Sequence, residues 1–278
     1  MKNLITILRK KLYFRIPIVI GIGILLFYTA GVLAMDKMLF PGAAEPTARP
    51  SKSGNITLKS GNAELDALYH LPDPGKPVLL YSHGNGETLA SIKPLLLRFI
   101  QMGYGVMAYD YAGYGNSTGY PSEKQAYTDI EAAYFYLTGV QRINPDNIVV
   151  MGFSVGSGPS CYIAEKCPVR ALVIISGFAS AAQVLLPFPV PFDKFPNSER
   201  LKNCKVPLLI IHGKSDKIVS IRNGRKLFSS SVAPLKRMHE EDAGHNDIFY
   251  RTVGFFHKLK NFLDDVSKHR QEFQKYHP

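Results

Sequence analysis

Cysteine is scarce: the 278 residues contain three, Cys161, Cys167 and Cys204. An odd count argues against a disulfide framework. No Cys/His spacing of the zinc-site kind occurs, so no metal is expected. Cys167 and Cys204 each precede an apolar run that reads as a strand. In an oxidising compartment a Cys167–Cys204 bridge is one option, and free buried thiols are the other. Acid is missing from 1–35, where Lys2, Arg9, Lys10, Lys11 and Arg15 supply +5 of the formal net charge of +11. The remaining +6 is dispersed. No basic cluster interleaved with aromatics occurs in the body, so no nucleic-acid partner is expected. Internal repeats and low-complexity tracts are also lacking, and a hydrophobic content of 46% is enough for one large core.

Charge of either sign is absent from 16–35. As a helix these twenty residues span about 30 Å, the thickness of a bilayer core. A cleaved signal peptide has a shorter apolar core, roughly 7–15 residues, and a small-x-small site. Ala34-Met35-Asp36 is a poor one. Residues 16–35 therefore read as an uncleaved transmembrane anchor, with 1–15 as a basic cytoplasmic end. By the positive-inside rule the bulk of the chain then lies on the exported side, whether periplasmic, extracellular or lumenal. Residues 36–54, rich in Pro, Gly, Ala and Ser, read as a linker to a domain over 55–270. Within the linker, Leu39-Phe40-Pro41 can rest on the bilayer surface or on the domain.

In that domain, strands are expected over 55–60, 63–71, 76–81, 105–109, 148–151, 171–175, 207–211 and 235–239. Helices are expected over 89–102, after a Ser122–Gln125 capping box, after residue 156 to near Lys166, and over 248–269. Near-continuous apolar strands alternating with helices imply an α/β fold with a mainly parallel sheet covered on both faces. Residues 178–205 break the rhythm. Their proline-rich apolar centre suits neither a helix interior nor a central strand. A short lid or pocket wall and an irregular packed connection are both open.

The chemistry gathers around Gly152-Phe153-Ser154-Val155-Gly156. A G-x-S-x-G box between an apolar strand and a helix is the context of a nucleophile elbow, with Gly152 and Gly156 allowing close packing around the turn and Ser154 at its tip. A serine hydroxyl needs a base to take its proton, and the base needs an orienting carboxylate. Downstream, Asp216 follows the strand over 207–211 and His245 follows the strand over 235–239. This gives the chain order Ser, Asp, His. Asp242 is close to His245 in sequence but on the same loop. Asp247 suits the start of the last helix, and His83 and His212 suit turn-holding hydrogen bonds. An oxyanion needs N–H donors. Val155, after the nucleophile, is one. Asn85, in the loop His83-Gly84-Asn85-Gly86, is the other.

Together these segments resemble a known family. Tyr81-Ser-His-Gly-Asn85, Asp110-Tyr-Ala-Gly-Tyr-Gly115, Ser117-Thr-Gly119, Pro121-Ser-Glu-Lys124, the Gly152 elbow, His212-Gly213 with Asp216, and Gly244-His-Asn-Asp247 are similar to the α/β-hydrolase-domain serine hydrolases. The branch is that of the protein depalmitoylases and their membrane-anchored bacterial relatives. The resemblance implies an eight-stranded α/β-hydrolase fold with an antiparallel second strand. It also implies a triad of Ser154, Asp216 and His245, and cleavage of an acyl ester or thioester without cofactor or metal. One departure stands out. Those depalmitoylases carry a lipidated N-terminal cysteine cluster, and here no cysteine precedes Cys161. The expected substrate is a small-molecule or lipid acyl ester, or an acylated protein. A serine peptidase of the same fold and a non-catalytic hydrolase-fold membrane protein are the alternatives.

Overall fold

The computed structural model describes residues 2–41, 54–185, 190–191 and 193–276. The N-terminal helix α1 runs over Lys2–Leu39, past the end of the apolar stretch. Eight strands then form one sheet: β1 (Ile56–Ser60), β2 (Ala63–His70), β3 (Val78–Ser82), β4 (Gly105–Tyr109), β5 (Ile148–Phe153), β6 (Ala171–Ile175), β7 (Leu208–Gly213) and β8 (Lys236–Glu241), in the order β1-β2-β4-β3-β5-β6-β7-β8. β2 is antiparallel to both of its neighbours, and every pair from β4 to β8 is parallel. β3 pairs with both β4 and β5, so the strand order reverses there.

The central strands are buried along their whole length. Alternate side chains point to opposite faces, so each strand feeds two cores. Val78 and Leu80 of β3, Ile148 and Val150 of β5 and Leu208 and Ile210 of β7 join one. Leu79, Tyr81, Val149, Met151, Leu209 and Ile211 join the other. On the first face lie α3 (Glu123–Phe135), α4 (Ser157–Lys166), α6 (Asn197–Leu201) and α7 (Ile221–Ser230), through Ile130, Ile163, Leu201 and Leu227. On the second lie α2 (Leu89–Gln101), α8 (Ile248–Arg251) and α9 (Phe255–Tyr276), through Leu96, Ile248 and Phe262.

Two local readings need correction, and the choice left open for the cysteines is decided. The last helix is two: Gly254, with φ +67°, breaks it between Arg251 and Phe255, a left-handed backbone that ends a helix at little cost for glycine. The Ser122 box is half a box. Ser122 Oγ accepts from the Gln125 N–H, but the Gln125 side chain donates to Ser60 and Asp129 instead. The reciprocal box sits at α2, between Thr88 and Ser91. All three cysteines are free, and the Cys204 thiol turns to the Ala164 carbonyl at 3.4 Å, so no Cys167–Cys204 bridge forms.

The end of α1 is joined to the domain. Met35 and Phe40 are each 4% exposed and belong to the first core. Phe40 packs edge-on against Tyr111, Tyr114 and Phe195. The Asp36 carboxylate pairs with Lys194 at 2.6 Å and accepts from the Glu123 N–H at 3.3 Å. The segment over 178–205 holds the short helix α5 (Ala182–Leu185) and α6, and residues 186–189 and 192 at its proline-rich centre lie outside the described residues. Phe178, Phe195 and Leu201 are core residues.

Candidate active site

Every chemically notable loop sits at the C-terminal edge of the parallel strands, where open α/β sheets build their clefts. Ser154 follows β5, Asp216 follows β7, His245 follows β8 and Asn85 follows β3. The β5 strand enters a tight turn at Ser154, whose φ is +52°. A non-glycine residue in that region is held there by its surroundings. At Gly152 an added Cβ would lie 2.3 Å from the Gly156 carbonyl oxygen. At Gly156 it would lie 2.1 Å from the Ser82 carbonyl oxygen. Both approaches are to backbone, so the box needs glycine at both ends. Ser157 Oγ donates to the Ser154 carbonyl at 2.7 Å and braces the turn from inside.

The three candidate side chains meet. His245 Nε2 is 2.9 Å from Ser154 Oγ, and His245 Nδ1 is 2.7 Å from Asp216 Oδ2. Ser154, Asp216 and His245 are 9%, 7% and 7% exposed. Asp216 uses its other oxygen, Oδ1, to accept from the Ile218 and Val219 N–H groups at 2.9 and 2.8 Å. Burial alone would raise this carboxyl. The hydrogen bond to His245, with the two N–H donors, outweighs it and holds it below the ordinary aspartate value. Asp216 is therefore a carboxylate at neutral pH. With Nδ1–H donated to it, Nε2 is left free to accept from the serine hydroxyl.

The surrounding loops are tied to one another. His212 Nε2–H donates to the Val219 carbonyl at 2.8 Å, which fixes the loop that carries Asp216. Burial pushes the His212 pKa down, so it is neutral and structural. His83 contacts the Gly84 carbonyl through Nδ1 at 2.8 Å. Asp247 Oδ1 accepts from the Gly244 N–H at 2.6 Å, just before α8. Asp242 is on the surface, paired with Lys214. His83, Asp242 and Asp247 stand outside the chain of contacts from the serine, whereas His212 Nε2 touches its last member, 3.6 Å from Asp216 Oδ2. Phe153 stacks at an angle on His245, with centroids 5.1 Å apart, and limits how the ring can move.

Asn85 stands opposite the elbow. Its loop is held by the Tyr111 hydroxyl donating to the His83 carbonyl at 2.8 Å, by Glu87 accepting from the Gly84 N–H at 2.6 Å, and by the Tyr114 hydroxyl donating to Asn85 Oδ1 at 3.2 Å. Burial pushes the Tyr111 and Tyr114 hydroxyls up, so they stay protonated donors. The composition of the 110–115 loop carries no sign of this bracing role. Asn85, Ser154, Val155 and His245 border one cavity of about 560 Å³. Its other walls are mainly apolar: Phe153, Phe178, Ala181, Val184, Ile218 and Val219, with Met35, Met38 and Leu39 from α1. Sequence reasoning did not find the α1 wall. The one hint is the apolar Leu39-Phe40 pair just past the uncharged stretch. Among the described residues, no group of three or more His, Cys, Asp or Glu could hold a metal ion.

Comparison with known proteins agrees with this architecture. The alpha/beta hydrolase fold family matches residues 77–200. Human alpha/beta hydrolase domain-containing protein 17B is 35% identical over 193 residues, which is 68% of this chain and 66% of that protein. Alpha/beta hydrolase domain-containing protein aho-3 of Caenorhabditis elegans is 33% identical over 190 residues, 67% of this chain and 57% of that one. The chain thus spans just under two thirds, or less, of the curated relatives it matches. Among solved structures, an esterase of Pyrococcus furiosus superposes with a TM-score of 0.61 at 20% identity, over 82% of this chain and 96% of its own. An alpha-beta hydrolase of Vibrio vulnificus gives 0.63 at 20% identity, over 76% and 81%.

Proposed function

The chain is an α/β-hydrolase-domain protein similar to the depalmitoylase branch of that family, and from that premise we propose that it is a membrane-anchored serine hydrolase cleaving esters or thioesters of lipophilic acyl groups. The observation that carries the proposal is the unbroken contact from Ser154 Oγ through the His245 ring to Asp216, opening into a largely apolar cavity. In the first step His245 Nε2 takes the hydroxyl proton as Ser154 Oγ attacks the acyl carbon. Asp216 stabilises the imidazolium that forms. The Asn85 and Val155 N–H groups receive the negative oxygen of the tetrahedral intermediate. The proton then passes to the departing alcohol or thiol, leaving an acyl-serine. Water, deprotonated by the same ring, attacks that acyl group and restores the serine.

The anchor is the uncharged stretch 16–35 of α1, which lies within the apolar span Arg15–Leu39 of mean hydropathy 2.4. With five basic residues and no acid in 1–35, the basic end stays cytoplasmic and the hydrolase domain is exported. A complete set of three side chains in contact favours an enzyme over a non-catalytic scaffold of the same fold. Ser154→Ala tests the reading. It should abolish hydrolysis of a p-nitrophenyl ester and labelling by a fluorophosphonate while the thermal transition is retained. A variant as active as the parent would remove Ser154 from the mechanism. Protease protection of the C-terminal domain in sealed vesicles tests the orientation, and a C-terminus digested from the cytoplasmic side would overturn it.

A further inference from the structure

The cavity beside Ser154 has a wall that the hydrolase domain does not supply. Met35, Met38 and Leu39 line it, and all three belong to α1. Their spacing puts them on one helix face. The end of the helix is fixed on the domain by two side chains: the buried Phe40 ring, and the Asp36 carboxylate, which pairs with Lys194 and accepts from the Glu123 N–H at the start of α3. Met35 is 4% exposed, whereas Met38 is 53% exposed beside the cavity. Phe178, Ala181 and Val184 line the same cavity.

Length places this wall relative to a bilayer. At 1.5 Å per residue, a hydrocarbon core of about 30 Å takes about twenty residues of helix. Counted from Arg15, the first charge before the apolar stretch, the far edge falls near Met35. Asp36 and Lys37 follow at once, as suits a helix leaving the membrane. The cavity wall therefore begins where the helix emerges. Side chains from Ile16 to Tyr28 lie open along the helix, as a lipid-facing surface requires.

Resting on the hydrolase reading above, we propose that the last turn of the anchor forms the acyl-chain subsite, and that the substrate is a membrane-borne ester. Its alkyl tail lies among Met35, Met38 and Leu39 of the anchor and Phe178 and Val184 of the domain. Its carbonyl reaches Ser154 from the bilayer surface. The anchor then fixes chain-length selectivity as well as location, and it remains part of the mature protein because its removal would open the cavity and expose Phe40.

Full-length protein in nanodiscs tests this with two probes. The first is the ratio of kcat/KM for p-nitrophenyl dodecanoate to that for the acetate. Met38→Trp, at a half-open position that tolerates bulk, should lower this ratio by roughly fifteen-fold if about two methylenes lose their burial. The second probe leaves the protein unmutated: a fluorophosphonate with a photoreactive diazirine at the end of its alkyl chain. After it has labelled Ser154, irradiation should cross-link it to the peptide containing 35–39. Labelling of Ser154 with cross-links only elsewhere, or an unchanged ratio in Met38→Trp, overturns the subsite and leaves the hydrolase reading standing. No ester turnover and no labelling of Ser154 in the parent protein overturns both.

Discussion

Replacing Gly156 by alanine tests whether the elbow is positioned by backbone contact. The added Cβ would meet the Ser82 carbonyl oxygen at 2.1 Å, its carbon at 2.7 Å and the His83 carbonyl oxygen at 2.9 Å. Ordinary contact needs about 3.4 Å or more, so something must move by more than 1 Å. Ser82 cannot easily yield. It ends β3, fully buried and in register with Gly152 of β5. The elbow must therefore lift, which separates Ser154 Oγ from His245 Nε2, now 2.9 Å away. A misplacement of about 1 Å at a reacting group costs about 10²-fold in rate. Overpacking against backbone belongs at the upper end of the usual range, about 3 kcal/mol, or roughly 6–12 °C in Tm for a domain of this size. Gly139→Ala is the matched control. Nothing lies within 4 Å of its added Cβ, and alanine in a helical turn is favoured by about 0.5–1 kcal/mol. The assay is differential scanning fluorimetry alongside the rate of fluorophosphonate labelling. A Gly156→Ala protein that melts with the parent and labels at the parental rate would refute the reasoning.

Two further predictions concern the anchor contact and pH. Asp36→Ala should destabilise the protein by about 2 kcal/mol, less than the 3–5 kcal/mol of a fully buried pair because Asp36 is partly exposed. Adding Lys194→Met should recover part of the loss by removing the stranded charge, and strictly additive effects in chemical denaturation would show that the pair is not coupled. His212 has its folded pKa pushed below 6.5 by burial. Below about pH 6.5 the unfolded chain therefore binds the proton first, and stability falls as pH falls. Asp216, whose pKa is also depressed, contributes stability above about pH 4 that is lost only at lower pH, outside that window. His212→Gln should be less stable than the parent at pH 7.5 yet show a flatter loss of Tm between pH 6.5 and 5. The half-buried His239, also shifted down, contributes to the slope that remains. An unchanged slope would mean that His212 titrates normally.

Much of the sheet is legible in the sequence because its strands are buried on both faces. Val78-Leu79-Leu80-Tyr81 and Leu208-Leu209-Ile210-Ile211 have no polar position to confuse them. The meeting of Ser154, Asp216 and His245 is legible for a related reason: each follows such a strand, and in a parallel sheet those ends share one edge. β8 is harder to bound. It reads Lys-Arg-Met-His-Glu-Glu and is only partly covered, so its register comes from pairing with β7 rather than from its own composition. Contacts made across long separations leave no local pattern. Gln125 reaches Ser60, the Phe195 N–H donates to the Glu123 carboxylate, and Asp36 meets Lys194. The Phe40 site is the clearest case. A single aromatic after an apolar helix looks like the start of a tether, and only the assembled pocket of Tyr111, Tyr114 and Phe195 makes it a core residue.

The most direct measurement is the mass of the protein quenched in acid during turnover of p-nitrophenyl octanoate. The account predicts a fraction of molecules heavier by one octanoyl group, carried on the peptide that holds Ser154. Steady release of nitrophenol with no acyl group on that peptide, or with the acyl group on another residue, would contradict it.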